Sequence, residues 1–219
     1  MSCDCKKSKK LVREALKVLG KENFVLIMHG GSFPALDGED TGFGSMNSTA
    51  GKNIFDMAEG LFDAIQLGPA GKTKSSDSSP YTGTIFSGNP LFIDLKQLTE
   101  KEWGNILSEK TYKNIVSNNP QQNKGKTAYS YIFKAQNDAL KEAWGNFKSQ
   151  KKYQKEFEKF KKENAFWLEN DSLYEALSID NGNDYWPIWK SELDKNLLNP
   201  KNDTEKADAE KRISQIKDK

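Results

Sequence analysis

The residue types that could bind and orient a ligand are concentrated in one loop, between Leu67 and Leu95. The loop follows a short apolar run and brings Asp77, Ser79 and Tyr81 within five positions of one another. A tyrosine ring can stack on the flat face of a ligand, and a serine hydroxyl or a carboxylate can form hydrogen bonds with ligand hydroxyl groups. Barrel enzymes place sugar- and phosphate-handling groups on ordered loops of this kind. Residues that fix or relax the loop backbone are Pro80, Gly83, Gly88 and Pro90.

Part of the same loop has some features of a phosphate-binding P-loop. The stretch Gly68-Pro69-Ala70-Gly71-Lys72-Thr73 ends in the required Gly-Lys-Thr. A P-loop also needs a glycine five residues before Gly71, but Gln66 stands there, and no helical pattern follows Thr73. An unrelated α/β nucleotide-binding protein is therefore the least favoured of the alternatives.

His29 is the only histidine of the chain, and it stands at the C-terminal end of the first apolar run. We predict that it orders the loop that follows through a hydrogen bond, and we assign the same loop-ordering role to Asn89. A catalytic base is disfavoured because no nucleophile is spaced to partner His29.

The composition excludes several classes of protein. The 219 residues carry 33 basic and 31 acidic side chains, a net charge of +2 that does not favour nucleic acid as a partner. With a mean hydropathy of -0.79 and no run of about 18 apolar residues, the chain is not expected to bind or span a membrane. The cysteines, Cys3 and Cys5, are predicted to be reduced thiols, which points to the cytoplasm; we expect no metal and no cofactor.

Apolar periodicity predicts an α/β arrangement in the first half of the chain and helices in the second half. The predicted strands are short apolar runs at 24–28 and 64–67, of the kind that parallel sheets bury on both faces. The predicted helices cover 9–20, 51–61, one or two long segments within 127–170, and 171–177. Strand, helix and strand in this order form one βα unit and the next parallel strand.

The loop after the second strand resembles the corresponding stretch of the bacterial amylomaltases, the 4-α-glucanotransferases. The matching residues are Leu67-Gly68-Pro69, Gly71, Asp77, Ser79-Pro80-Tyr81, Phe86, Gly88-Asn89-Pro90 and Ile93-Asp94-Leu95. Looser matches are Met28 to Pro34 with Gly42-Phe43-Gly44, and Phe166-Trp167-Leu168-Glu169 with Leu173, Tyr174 and Ala176-Leu177.

This resemblance implies the N-terminal portion of a (β/α)8 TIM barrel, with its first two strands, followed by a helical insertion subdomain. We accordingly expect four regions along the chain. They are a disordered tail at 1–10, the start of the barrel with a glucan-binding loop at 11–96, the helical insertion at 97–199, and a charged tail or the start of a truncated helix at 200–219.

The resemblance also implies a function, the retaining transfer of α-1,4-glucan segments, in which an aspartate attacks the sugar and a glutamate acts as acid and then as base. Tyr81, Ser79 and Asp77 are then the expected substrate-binding residues. No residue matches the family's catalytic carboxylates, so we assign no catalytic residue. The expected partners are α-1,4-glucans (maltooligosaccharides) and a complementary C-terminal part of the enzyme. The alternative is a non-catalytic glucan-binding or interaction protein derived from the same family.

Overall fold

A computed structural model describes residues 5–82, 86–122 and 124–216. The chain divides into two compact units, which are described separately below. Unit 1 comprises residues 1–84 and 88–152, and unit 2 comprises residues 85–87 and 153–219. No helix of the described segments combines the length and the apolar character that crossing a membrane requires.

Unit 1 contains a parallel pair of strands, as the sequence predicts. β1 (Val25–Ile27) pairs with β2 (Ala64–Gln66), and the helix α2 (Thr49–Ala58) lies between them in the chain. In the register, Val25 lies opposite Ala64 and Ile27 lies opposite Gln66. The expectation that the strands are buried on both faces is wrong for this chain, because Val25 is 44% and Ile27 is 76% exposed. Val25 and Ile27 lie on the same face of the sheet, and the two strands alone provide no layer that covers this face.

The N-terminal helix begins earlier than predicted. α1 extends over Cys5–Val18, so the expected disordered tail at 1–10 is wrong from residue 5 onward, while Cys3 lies outside the described residues. Lysines favour helices, and the apolar spacing of the segment continues the same helical face. Arg13 ties α1 to the start of β2 through two hydrogen bonds to Asp63, at 2.8 and 3.1 Å. These bonds hold the pKa of Asp63 below its usual value.

The core of unit 1 joins the predicted barrel start to the predicted insertion. Three helices contribute to it: α3 (Leu95–Leu98), α4 (Glu109–Ser117) and α5 (Tyr129–Phe147). The buried core residues are Leu91, Leu95, Leu98, Leu107, Tyr112, Ile115, Val116, Ile132, Ala139 and Ala143. Gln136 of α5 is also buried and donates hydrogen bonds to the carbonyls of Pro90 and Ile93, at 2.9 and 3.0 Å. The predicted boundary at residue 96 therefore does not separate the compact units, because burial of the leucines requires α4 and α5.

The described part of unit 2 contains three α-helices, of which α6 (Lys151–Asp180) has its first two residues in unit 1. The separate helix predicted at 171–177 is wrong, because α6 runs through that segment without a break and stops just before Gly182, which has a φ of 63°. The others are α7 (Glu192–Asn196) and α8 (Asp203–Ile216). α8 lies within the segment predicted as a charged tail or a helix start, and its Ala209 and Ile216 belong to a buried cluster with Leu177, Trp189 and Leu197.

Candidate functional site

The loop after β2 is closed at its base. Gly71 and Gly88 form an antiparallel bridge, and the backbone N–H of Asn89 donates to the carbonyl of Ala70 at 2.8 Å. The two ends of a long loop are thereby brought together, and residues 83–85 within it lie outside the described residues. Compact loops with joined ends can hold a binding surface in place.

A chain of side-chain hydrogen bonds fixes this base to the first residue of α5. The Asn89 amide lies 3.2 Å from the hydroxyl oxygen of Thr73, which lies 2.8 Å from the hydroxyl of Tyr129. Tyr129 donates its single hydroxyl hydrogen to the carbonyl of Lys74 at 2.6 Å. It therefore accepts from Thr73, and Thr73 accepts from Asn89. The donor and the acceptor of every hydrogen bond in this series are thus determined. We call the series of hydrogen bonds the Asn89–Tyr129 chain.

Asn89 orders the loop in a second way. Its side-chain oxygen accepts a hydrogen bond from the N–H of Leu91 at 3.0 Å and so caps the 3-10 turn that contains Pro90. Asn89 is buried, and both polar atoms of its amide have partners. These contacts support the loop-ordering role that we assign to Asn89.

The three expected substrate-binding residues lie in one turn. The carboxylate of Asp77 accepts from the N–H of Ser79 at 2.9 Å, and two backbone bonds join Asp77 with Lys74, at 3.2 and 3.3 Å. The hydroxyl of Ser79 lies 3.4 Å from the N–H of Tyr81. Asp77 and Ser79 therefore shape the turn, whereas the Tyr81 side chain is 81% exposed. The turn presents a flat ring to the solvent from a backbone held by short-range bonds.

His29 lies where the ends of the two strands meet. Its Nδ1 accepts from the N–H of Gly31 at 3.2 Å, so the hydrogen of the neutral ring is on Nε2. A side chain at Gly68, just after β2, would come within 3.4 Å of the ring, and the N–H of Gly30 donates to the carbonyl of Leu67. This position supports a role in ordering the loops. Nε2 is buried and has no hydrogen-bond partner among the described residues.

The loop after β1 forms one wall of a cleft of about 380 Å³ in unit 1. Its backbone folds closely onto itself, because a side chain at Gly44 would lie 2.1 Å from the carbonyl oxygen of Phe33. The N–H of Ala128 donates to the carbonyl of Gly42 at 2.7 Å and joins this loop to the start of α5. Residues that line the cleft include Gly31, Pro34, Asp40, Phe43, Lys126 and Thr127.

The structure contradicts the nucleotide-binding alternative. Thr73 is 4% exposed, and its hydroxyl is engaged in the Asn89–Tyr129 chain, so it is not available to a phosphate-bound metal ion. Gly71 lies in a bridge rather than in a phosphate cradle, and the described residues between Thr73 and α3, which are 74–82 and 86–94, contain no start of an α-helix. Within the described ranges, histidine, cysteine and acidic side chains form no group of three or more that could hold a metal ion.

Sequence reasoning missed Thr73, Tyr129 and Gln136. In the sequence, Thr73 matches only the end of a P-loop, and Tyr129 and Gln136 resemble ordinary helix residues. Their contacts join positions 56 and 46 residues apart, so no local pattern identifies them.

Comparison with known proteins supports the resemblance found in the sequence. The family model described as 4-alpha-glucanotransferase matches residues 32–217. A 4-alpha-glucanotransferase from Clostridium butyricum is 32% identical over 149 residues, which are 66% of this chain and 29% of that protein. The enzyme of the same name from Thermus thermophilus is 28% identical over 174 residues, 78% of this chain and 32% of that protein.

The fold is also similar to a solved structure. An amylomaltase from Streptococcus agalactiae, in complex with acarbose, superposes with a TM-score of 0.68 at 20% identity and covers 89% of this chain and 37% of its own. At this level of identity the likeness concerns the fold alone. The chain thus spans about 30% of the length of the relatives that it matches. Because the family model covers most of its residues, the chain belongs to the 4-alpha-glucanotransferase family.

Proposed function

We propose that this chain provides the glucan-binding loop of a 4-alpha-glucanotransferase that transfers α-1,4-glucan segments. The observation that carries the proposal is the 81% exposed ring of Tyr81 on a loop whose base is held by buried hydrogen bonds. An aromatic ring that is exposed to water does not contribute the favourable free energy of apolar burial to the fold. A pyranose ring that stacks on Tyr81 would recover part of it.

In this proposal Asp77 and Ser79 contribute hydrogen bonds to the sugar and also shape the turn. A carboxylate has two oxygens with about four acceptor positions, so Asp77 can hold the N–H of Ser79 and still accept from a sugar hydroxyl. The turn is preorganised by its own bonds, which reduces the ordering cost of binding.

The catalytic carboxylates of this proposal come from outside the chain. The residues that directly follow the strands are Met28-His29-Gly30 after β1 and Leu67-Gly68-Pro69 after β2, and none of them is acidic. Retaining transfer needs two carboxyl groups about 5 Å apart, one as nucleophile and one as acid and base. A complementary C-terminal part of the enzyme, in the cytoplasm, would supply them. The lack of acidic residues at the strand ends is equally consistent with the alternative, a non-catalytic glucan-binding protein.

Calorimetry with maltoheptaose tests the binding role of Tyr81. Tyr81→Ala is expected to weaken binding by about 1–2 kcal/mol, because the ring face is lost. Tyr81→Phe is the matched control, which keeps the ring and removes only the hydroxyl, and it should bind nearly as well as the parent chain. Equal affinities of all three proteins, with unchanged circular dichroism, would refute this role.

An activity assay separates the enzyme from the non-catalytic alternative. The chain alone should release no glucose from maltotriose above a buffer control, because it lacks the carboxylate pair. Release that persists after repeated purification would show that the chain contains catalytic residues that we have not identified. Addition of a C-terminal part from a relative should restore transfer if the chain is part of an enzyme, and should not if it is a binding protein.

A further inference from the structure

Unit 2 carries a corner of aromatic rings on its surface. Phe86 stacks on Trp167, with ring centroids 6.1 Å apart and an angle of 18° between the planes. Phe166 stands nearly perpendicular to Phe86, at 6.1 Å and 84°. We call Phe86, Phe166 and Trp167 the aromatic corner, because two of its rings meet at close to a right angle.

The corner is largely open to solvent. Phe166 is 76% and Phe86 is 56% exposed, and Phe166 lies well inside the 30-residue helix α6. Trp167 is fixed by a hydrogen bond from its Nε1 to the side-chain oxygen of Asn164 at 3.0 Å. Among the residues that the structure describes, only Tyr81 has an aromatic ring more exposed than that of Phe166. Exposure of this kind indicates a surface that makes contact with a partner.

A carboxylate flanks the corner. Asp171 lies one helical turn after Trp167, and one of its oxygens accepts a hydrogen bond from the hydroxyl of Ser87, the neighbour of Phe86, at 2.5 Å. The second oxygen of Asp171 has no hydrogen-bond partner in the described part of the chain. An acceptor of hydrogen bonds therefore stands beside flat apolar faces.

We propose that the aromatic corner and Asp171 form a second contact surface for α-1,4-glucans, in unit 2. A pyranose ring has apolar C–H faces and a rim of hydroxyl groups, so it matches flat rings with a carboxylate beside them. A purely apolar partner would cover the second oxygen of Asp171 without offering it a hydrogen bond, whereas a sugar hydroxyl can donate one. This inference rests on the proposed function, because it takes the glucan of that function as the ligand.

The test compares two phenylalanine variants of the full chain. Phe160 lies on the same helix, is 46% exposed and has no place in the corner. Phe166→Ala is expected to lower the affinity for maltoheptaose, measured by calorimetry, by about fivefold, the scale of one lost aromatic contact. Phe160→Ala removes the same atoms from the same helix and should leave the affinity unchanged. Phe166 is largely exposed and Phe160 is about half exposed, so the thermal midpoints of both variants should stay close to that of the parent chain.

A spectroscopic measurement locates the sugar. The indole N–H signal of Trp167, identified by its loss in Trp167→Phe, should shift when maltoheptaose is added to the parent chain. The same signal should shift much less in Phe166→Ala at equal sugar concentration. Asp171→Asn, which keeps the size of the side chain and removes its charge, should lower the affinity to a smaller extent.

The outcomes separate this inference from the proposed function. If Tyr81→Ala weakens binding while Phe166→Ala and Phe160→Ala behave alike, the second surface is wrong and the proposed function stands. If Phe166→Ala weakens binding and Tyr81→Ala does not, the second surface stands and the role of Tyr81 is wrong. A parent chain that does not bind maltoheptaose overturns both. A change in self-association of Phe166→Ala on a sizing column, without a change in affinity, would assign the corner to protein contact and overturn the inference.

Discussion

Removal of one oxygen atom tests whether the Asn89–Tyr129 chain holds the loop. Tyr129→Phe deletes the hydroxyl that joins Thr73 to the carbonyl of Lys74 and keeps the ring, which packs near Phe43 and Phe133 with centroids 6.5 and 5.8 Å away. The substitution therefore removes hydrogen bonds without creating a large cavity.

The expected cost follows from the number of bonds. The Tyr129 hydroxyl makes a bond of 2.8 Å with Thr73 and a bond of 2.6 Å with Lys74. At about 1 kcal/mol for each bond, Tyr129→Phe should lower the free energy of opening the loop base by about 2 kcal/mol. Tyr131 on the same helix makes a single such bond, to the carbonyl of Ile115 at 2.6 Å, so Tyr131→Phe should cost about 1 kcal/mol. Tyr131→Phe should leave the free energy of opening the loop base unchanged.

Amide hydrogen exchange measures the effect where it is expected. The informative amides are those of Lys74, Asp77 and Asn89, each of which has a backbone partner in the loop. In Tyr129→Phe their exchange should be faster by roughly 30-fold, the equivalent of 2 kcal/mol. In Tyr131→Phe they should exchange at close to the parent rate. Equal exchange in all three proteins, with folding verified by circular dichroism, would refute the inference that the Asn89–Tyr129 chain orders the loop.

Two further predictions concern carboxylates whose pKa the fold shifts, the buried Asp194 and the half-buried Asp94. Hydrogen bonds from Arg212, at 2.8 and 3.0 Å, hold the pKa of Asp194 below its usual value. The charged Asp194 therefore stabilises unit 2 fully above the unfolded pKa of about 4, and this stabilisation is lost as the pH falls through the lower folded pKa. Asp194→Asn should lower the unfolding free energy of unit 2 by about 3 kcal/mol at pH 7 and flatten its acid dependence in urea titrations; a parent-like acid dependence would contradict this. Burial raises the pKa of Asp94, with Glu39 and Glu100 adding to the effect, so its charged form costs stability as the pH rises above the unfolded pKa. Asp94→Asn keeps the cap on the N–H of Lys96 and should leave the thermal midpoint at pH 7 unchanged or higher, with no gain at pH 3; a lower midpoint at pH 7 would show that the charge stabilises the fold.

Much of the secondary structure could be predicted because it depends on residues that are close in sequence. The parallel pair β1 and β2 follows from two apolar runs on either side of a helical segment. The turn at Asp77, Ser79 and Tyr81 follows from residue types that bond to their own backbone. The charged composition of the last 20 residues, in contrast, left a tail and the start of a helix as alternatives, because only a few apolar side chains, Ala209, Ile213 and Ile216, pack one face of α8.

The limits of the compact units could not be predicted from residues that are close in sequence. The change of composition after Leu95 predicts a boundary there, yet Leu91 and Leu95 are buried against helices that come later in the chain. Composition reports which residues favour a helix and does not report which surfaces those helices cover.

For the site, the sequence by itself determined the family and the loop that carries Tyr81, because the matching residues are nearly contiguous in the chain. Only the tertiary structure decided how that loop is held and what else is exposed. Tyr129 and Thr73 are separated by 56 residues, and Ser87 and Asp171 by 84. Such pairs form when packing of helices brings distant surfaces together, and that packing is fixed by burial summed over many residues rather than by any local pattern.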